Sequence, residues 1–388
     1  MKKKICVVTG TRAEYGLMSR LMRFIKEDND LQLQIIATNM HLSVEYGETY
    51  KEIENDGFVI DKKVPILSLS DTPNATVKSV GTGIMGFADA YEELRPDMLM
   101  VLGDRYEILA AVSAALFYKI PVIHIHGGEI TEGAYDNAIR HAVTKMSHLH
   151  FTSTEEYRRR VIQMGESPET VFYAGALGCD NIKQVSLLDK DELEKSLGFP
   201  LDRKTILVTF HPVTMENNTA EVQFNELLAA IDHFKDLRAI FTMPNSDTHG
   251  KIIISLIKEY VAQNQGKAVW YTSLGMQRYL SLLQYIGAVV GNSSSGIIEV
   301  PSFRIPTLNI GDRQKGRIAA LSVFNCLPFK DDIIEKLAII IGPDCIERLS
   351  NVVNPYYKPN TAQEIVEIIK KKNVQVVKKF YDLAAANV

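Results

Sequence analysis

Short apolar runs alternate along the chain with stretches whose apolar residues recur at helical spacing. The run KICVVT (4–9) is followed by Leu17, Met18, Leu21, Met22 and Ile25, one face of a helix. LQLQIIAT (31–38) reads as the next strand, and a helix is predicted over 73–94. MLMVL (98–102) is apolar throughout, as a parallel strand covered on both faces requires. Helices at 108–118, 136–147 and 155–164 then separate strands at 121–125, 148–153 and 171–175. A charged stretch, 183–204, interrupts the pattern and reads as an inter-domain connection. The alternation restarts with strands at 205–210, 238–243, 268–272, 287–291 and 305–310, and a last amphipathic helix is predicted from Thr361 to about Ala385. This pattern predicts an α/β protein of two Rossmann-like doubly wound domains facing a central cleft. The expected domains are 1–185 and 195–360, followed by that last helix within 361–388.

Composition narrows the classes. The 388 residues fit two domains, and the formal net charge of −4 gives no general attraction to nucleic acid or to a membrane. An anionic ligand would have to be held by local donors. The four cysteines (Cys6, Cys179, Cys326, Cys345) form no CxxC pair and read as thiols of a reducing cytoplasm. After the initial lysines the apolar run is only ICVV, too short for a signal peptide, and no stretch approaches bilayer length. The expected location is cytoplasmic.

In doubly wound sheets ligands sit beyond the carboxyl ends of the strands, so polar residues there carry the candidate chemistry. The first strand delivers Gly10-Thr11-Arg12-Ala13-Glu14 onto a helix start, where amide donors and Arg12 suit a phosphate; a plain strand–helix turn is the alternative. MLMVL ends in Gly103-Asp104-Arg105, where Asp104 is either a helix cap or a reactive carboxylate. PVIHI ends in His126-Gly127-Gly128-Glu129, and Asp136 with Arg140 opens the following helix. Strand alternation would point His124 and His126 the same way, but no third ligand at a recognisable spacing supports a metal site. An acid/base cluster of Asp104, His126, Glu129 and Asp136 is the stronger reading, because crowded carboxylates push one another's proton affinities apart.

In the second half, TILVTF ends in His211-Pro212, and the loop Pro244-Asn245-Ser246-Asp247 follows the next strand. Gly291-Asn292-Ser293-Ser294-Ser295-Gly296 is a small-residue turn onto a short helix, able to close amides and hydroxyls around a diphosphate. Glu299, one turn further, could accept from ribose hydroxyls, and Arg313 sits at another polar strand end. Gly81, Gly83 and Gly86 match GxGxxG, but no apolar strand precedes them, so they are assigned to a helix rather than to a dinucleotide site.

The ordered segments GTRAEYG, NMHLS, LGDRYE, HIHGGE, DNAIRHAVTKMSHLH, FHPVT, GNSSSGIIEVP and NIGDRQKGR resemble those of hydrolysing UDP-N-acetylglucosamine 2-epimerases, above all the bacterial sialic-acid-pathway enzyme. The resemblance spans about residues 5 to 385. It implies a GT-B-like fold in which the C-terminal helix within 361–388 returns to complete the first domain, no cofactor, no metal, and conversion of UDP-N-acetylglucosamine and water to N-acetylmannosamine and UDP. It implies catalytic roles for Asp104, His126, Glu129, Asp136 and His211. It implies substrate contacts from Arg12, His41, Arg105, Arg140, Asn245, Asn292, Ser293, Ser294, Ser295, Gly296, Glu299 and Arg313. Where this chain reads HIHGGE, relatives such as the animal enzyme read HIEGGE, which leaves that acid/base role with His126 or Glu129. The HVEAGLR-like segment of the non-hydrolysing sister family is absent, which favours hydrolysis. Expected partners are a UDP-sugar and further copies of the chain in a dimer or tetramer, with no nucleic acid and no membrane. Two other readings stay open: a related UDP-diacetamido sugar as substrate, or a GT-B glycosyltransferase.

Overall fold

A computed structural model describes residues 2–68, 70–183, 185–216, 219–245, 247 and 249–383. The chain divides into two compact units. The first comprises Met1–Glu129, Asp136–Asn181 and Tyr356–Val388; the second comprises Ile130–Tyr135 and Ile182–Pro355.

The first unit is built on seven parallel strands: β1 (Lys3–Thr9), β2 (Leu31–Thr38), β3 (Lys62–Val64), β4 (Met98–Leu102), β5 (Val122–Ile125), β6 (Leu149–Thr152) and β7 (Val171–Tyr173), in the order β3-β2-β1-β4-β5-β6-β7. The second holds six: β8 (Thr205–Thr209), β9 (Arg238–Thr242), β10 (Ala268–Tyr271), β11 (Ala288–Gly291), β12 (Thr307–Ile310) and β13 (Val323–Cys326), in the order β10-β9-β8-β11-β12-β13. Each sheet therefore reverses its strand order once, between β1 and β4 and between β8 and β11. These are the topological switch points at which doubly wound folds bind ligands.

The sequence places eleven of these strands and misses β3 and β13. Both are edge strands: β3 reads Lys-Lys-Val, and β13 buries only Cys326 fully, so neither shows the apolar run of a covered strand. The glycines at 81, 83 and 86 lie inside the helix Pro73–Leu94. A Cβ on Gly83 would stand 2.9 Å from Ala110 Cβ, and one on Gly86 would stand 2.7 Å from Val64, so they admit close packing on the neighbouring helix and strand.

Apolar clusters cover both faces of each sheet. On one face of the first, Tyr15, Met18, Leu21, Met22 and Ile25 pack with Ala362, Ile365, Val366 and Ile369 of the helix Thr361–Lys371. That helix ends at Lys371, not near Ala385. Beyond it Val374, Val376 and Val377 favour extended backbone, and Tyr381 N–H donates to Gly165 O at 2.9 Å. Residues 384–388 lie outside the described residues. The charged stretch 183–204 is largely folded: the chain leaves the first unit at Asn181, and the helix Lys190–Leu197 is capped by Asp189 and buries Leu193 and Leu197 in the second. Among the described residues no helix is long and apolar enough to cross a membrane.

Candidate functional site

Two polar clusters occupy the strand ends, one in each unit. In the first, Arg140, 2% exposed on the buried face of the helix Asp136–Met146, is the organiser. One guanidinium nitrogen donates to the Glu129 carbonyl at 2.9 Å, and another pairs with the Asp104 carboxylate. Asp104 keeps 20% of its side chain exposed, so its charge is held from behind while it reaches solvent. Asp136 opens the same helix one turn before Arg140 and is buried.

Glu129 accepts from Ser153 Oγ at 2.6 Å, and its Oε1 lies 3.6 Å from His126 Nδ1. β5 ends at Ile125, and His126 takes a left-handed backbone with φ +66°, costly for a residue with a side chain. The alternation that would put His124 and His126 on one strand face therefore stops short of His126. His124 instead turns inward, with Nε2 donating to Gly103 O at 2.8 Å and Nδ1 beside Thr144 Oγ1 at 3.1 Å. Burial lowers its pKa to about 3, so it is neutral.

The switch point of the first sheet holds a second acidic group. Arg105, itself buried, donates from Nε to Glu107 Oε1 at 2.8 Å, and Glu107 is fully enclosed. A Cβ on Gly10 would lie 2.5 Å from that oxygen, so any larger residue there would have to displace the Glu107 side chain. Glu14 accepts from the amides of Gly10 (2.8 Å) and Thr11 (3.3 Å) as half of a capping box. Burial, then the Glu107 carboxylate, push its pKa up to about 8. Arg12 is half-exposed and pairs with Glu52 at 2.7 Å. His41 differs from its expected role. It is fully buried, with Nε2 3.1 Å from Thr9 Oγ1 and Nδ1 2.8 Å from Thr49 Oγ1, so it braces the loop after β2 and offers a ligand no exposed atom. Burial lowers its pKa to about 4.

In the second unit His211 follows β8 and the serine turn follows β11. Gly291, at φ +131°, brings β11 so close to β8 that a Cβ would stand 2.0 Å from Thr209 O. Asn292 then bonds to both backbone groups of His211. Ser293 Oγ lies 3.4 Å from Ser295 Oγ, which meets Tyr279 OH at 2.7 Å. Gly296 sits at the single turn Ser295–Ile298 and packs on Thr307, and buried Glu299 follows. Burial, then the Glu299 charge, raise the Tyr279 pKa. Arg313 donates to Asn292 O at 3.1 Å, with Asp247 3.9 Å away. Asn245 donates its backbone N–H to His211 Nδ1 at 3.3 Å; Ser246 lies outside the described residues.

Sequence reasoning noted Glu107 and Gln314 only as members of the segments LGDRYE and NIGDRQKGR, and it missed Ser153 and the segment Ile130–Tyr135. The last belongs to the second unit: Glu132 N–H donates to Lys315 O at 3.1 Å, Tyr135 N–H to Thr214 Oγ1 at 3.1 Å, and Gly133 O accepts from Met215 N–H at 3.2 Å. A Cβ on Gly133 would stand 2.6 Å from Asp312 O. The only sequence signal is Gly133 itself, in a polar run. Among the described residues no group of three or more His, Cys, Asp or Glu could hold a metal ion.

The family model described as UDP-N-acetylglucosamine 2-epimerase matches residues 23–370. The GDP/UDP-N,N'-diacetylbacillosamine 2-epimerase (hydrolyzing) of Campylobacter jejuni is 45% identical, covering 87% of this chain and 88% of its own. Polysialic acid biosynthesis protein P7 of Escherichia coli is 41% identical over 98% of both chains. The crystal structure of UDP-GlcNAc 2-epimerase from Neisseria meningitidis bound to UDP-GlcNAc shares the fold, with a TM-score of 0.80, 20% identity, and 95% of this chain and all of that one covered. The chain belongs to the UDP-N-acetylglucosamine 2-epimerase family.

Proposed function

We propose that this protein is a hydrolysing UDP-N-acetylglucosamine 2-epimerase that converts its substrate and water to N-acetylmannosamine and UDP for sialic acid synthesis. The observation that carries the reading is the cluster at the ends of β4 and β5, where Arg140 ties Asp104 to the Glu129 backbone and Glu129 stands beside His126. Similarity to the P7 protein over nearly the whole chain supports the pathway.

The proton on C2 of the sugar is a poor acid, because no carbonyl is adjacent. It becomes removable as the C1–O bond to UDP breaks and positive charge grows on C1, a charge that nearby carboxylates stabilise. Anti elimination takes the C2 proton to a base of the cluster, forms the C1–C2 double bond of a 2-acetamidoglucal, and sends the C1–O electron pair to UDP. Water then adds at C1 while an acid returns a proton to the opposite face of C2. One group must take a proton and another must return one, and Asp104, His126, Glu129 and Asp136 are assigned these roles. His211, the serines at 293–295 and Glu299 are assigned to the nucleotide end.

A related UDP-diacetamido sugar is the second reading, favoured by the Campylobacter relative. Incubating the enzyme with a panel of UDP-sugars in D₂O separates the two. UDP release and deuterium at C2 of N-acetylmannosamine are expected from UDP-N-acetylglucosamine. Faster turnover of a diacetamido sugar moves the assignment, and unlabelled product overturns the mechanism. In the same assay Asp104→Asn should lower kcat by roughly a hundredfold with little loss of UDP binding; near-normal turnover removes Asp104 from the chemistry.

A further inference from the structure

The switch point of the second sheet is bridged by one amide side chain. Asn292 has no exposed surface. Its Oδ1 accepts from His211 N–H at 2.7 Å, and its Nδ2 donates to His211 C=O at 2.8 Å. Its own N–H donates to Thr209 O at 3.1 Å, and its C=O accepts from Arg313 Nη1 at 3.1 Å and Gln314 Nε2 at 3.0 Å. A residue so enclosed cannot touch a substrate without leaving this network, and buried amides are costly to strip of partners. Its bonds clamp the backbone of His211 and brace the loop that carries Arg313.

The imidazole is constrained as well. Asn245 N–H points at His211 Nδ1 from 3.3 Å. A backbone N–H only donates, so Nδ1 is the acceptor and the ring proton belongs on Nε2. Asp247 Oδ2, 3.9 Å from Nδ1, is beyond hydrogen-bond reach and is shared at 3.9 Å with Arg313 Nη2.

We infer that His211 works as a neutral Nε2–H hydrogen-bond donor and that Asn292 is its positioning residue. The inference rests on the epimerase reading for its chemical meaning. When the C1–O bond breaks, the electron pair passes to the β-phosphate oxygen, and His211 donates a hydrogen bond to the departing diphosphate while keeping its proton. UDP then leaves as an anion and the imidazole is unchanged, with no reprotonation step between turnovers.

Two measurements decide it. In enzyme with ¹⁵N-labelled histidine, His211, assigned by its loss in His211→Gln, should show a pyridine-like Nδ1 and a pyrrole-like Nε2 near neutral pH. The reverse pattern, or two protonated nitrogens, overturns the donor role. UDP affinity is then measured by calorimetry in Asn292→Ser, His211→Gln and the double variant. Asn292→Ser should weaken UDP binding about tenfold in the parent yet less than about twofold in the His211→Gln background, because the two act as one unit. Equal losses in both backgrounds overturn the positioning role. Neither measurement uses turnover, so an enzyme inactive on every UDP-sugar would refute the epimerase reading while these results still stand. The labelled parent enzyme carries the first test if Asn292→Ser fails to fold.

Discussion

Glu14 shows how one side chain couples local structure to charge. It closes a capping box at a helix start, yet it lies near a second enclosed carboxylate, Glu107, which Arg105 partly neutralises. Its pKa of about 8 lies above the ordinary 4.5, so the folded state holds a proton that the unfolded chain releases in between. The stability that this proton brings is complete below about pH 4.5 and is lost as pH rises through about 8. Glu14→Gln should flatten the fall in stability across this window in urea titrations at several pH values; an unchanged slope would assign the fall to other groups. Residues of this kind are hard to read from sequence. Asp104, His126, Glu129 and Asp136 stand out because strand ends advertise them; in the fold Arg140 contacts Asp104 and the Glu129 backbone, and His126 stands 3.6 Å from Glu129. The inward turn of His41 and the enclosure of Asn292 are invisible beforehand, because burial depends on what the fold packs against them.

Among the elements, covered strands and capped helices were the legible ones. MLMVL announces itself by composition, and Thr72-Pro73 marks the start of the helix Pro73–Leu94 with a cap and a proline at its first position. The last helix shows the limit. Its apolar period runs on past Lys371, but the tail bonds to the first unit in an extended form. Lys378 fixes it, donating to the carbonyls of Lys145 (2.7 Å) and Ser147 (2.6 Å) and to buried Glu166 at 2.8 Å. Burial would raise the Glu166 pKa, but donors from His150, Lys145 and Lys378 outweigh it and hold the carboxyl at about 2. Lys378→Ala should cost about 1–3 kcal/mol and speed amide exchange over residues 372–381. Thermal melts and exchange mass spectrometry would check this; unchanged exchange would mean that the tail is held by its other contacts.

At the scale of the molecule the two sheets repeat one plan, with a strand order that reverses once and polar residues gathered at each reversal. The repetition was legible because βα alternation restarts after residue 204. The excursion of Ile130–Tyr135 into the second unit was not, because that segment carries no apolar period and its docking is largely a matter of backbone hydrogen bonds. That discontinuity bears on inheritance. The chain passes from one unit to the other four times, so no single cut in the reading frame separates them. A gene fragment ending at codon 181 would encode a sheet lacking the helix that seals one face, and the remainder would lack a hexapeptide sewn into its loops. Recombination that trades one lobe for a homologue's must therefore move several short segments together, and the two lobes are expected to share one ancestry along the whole frame.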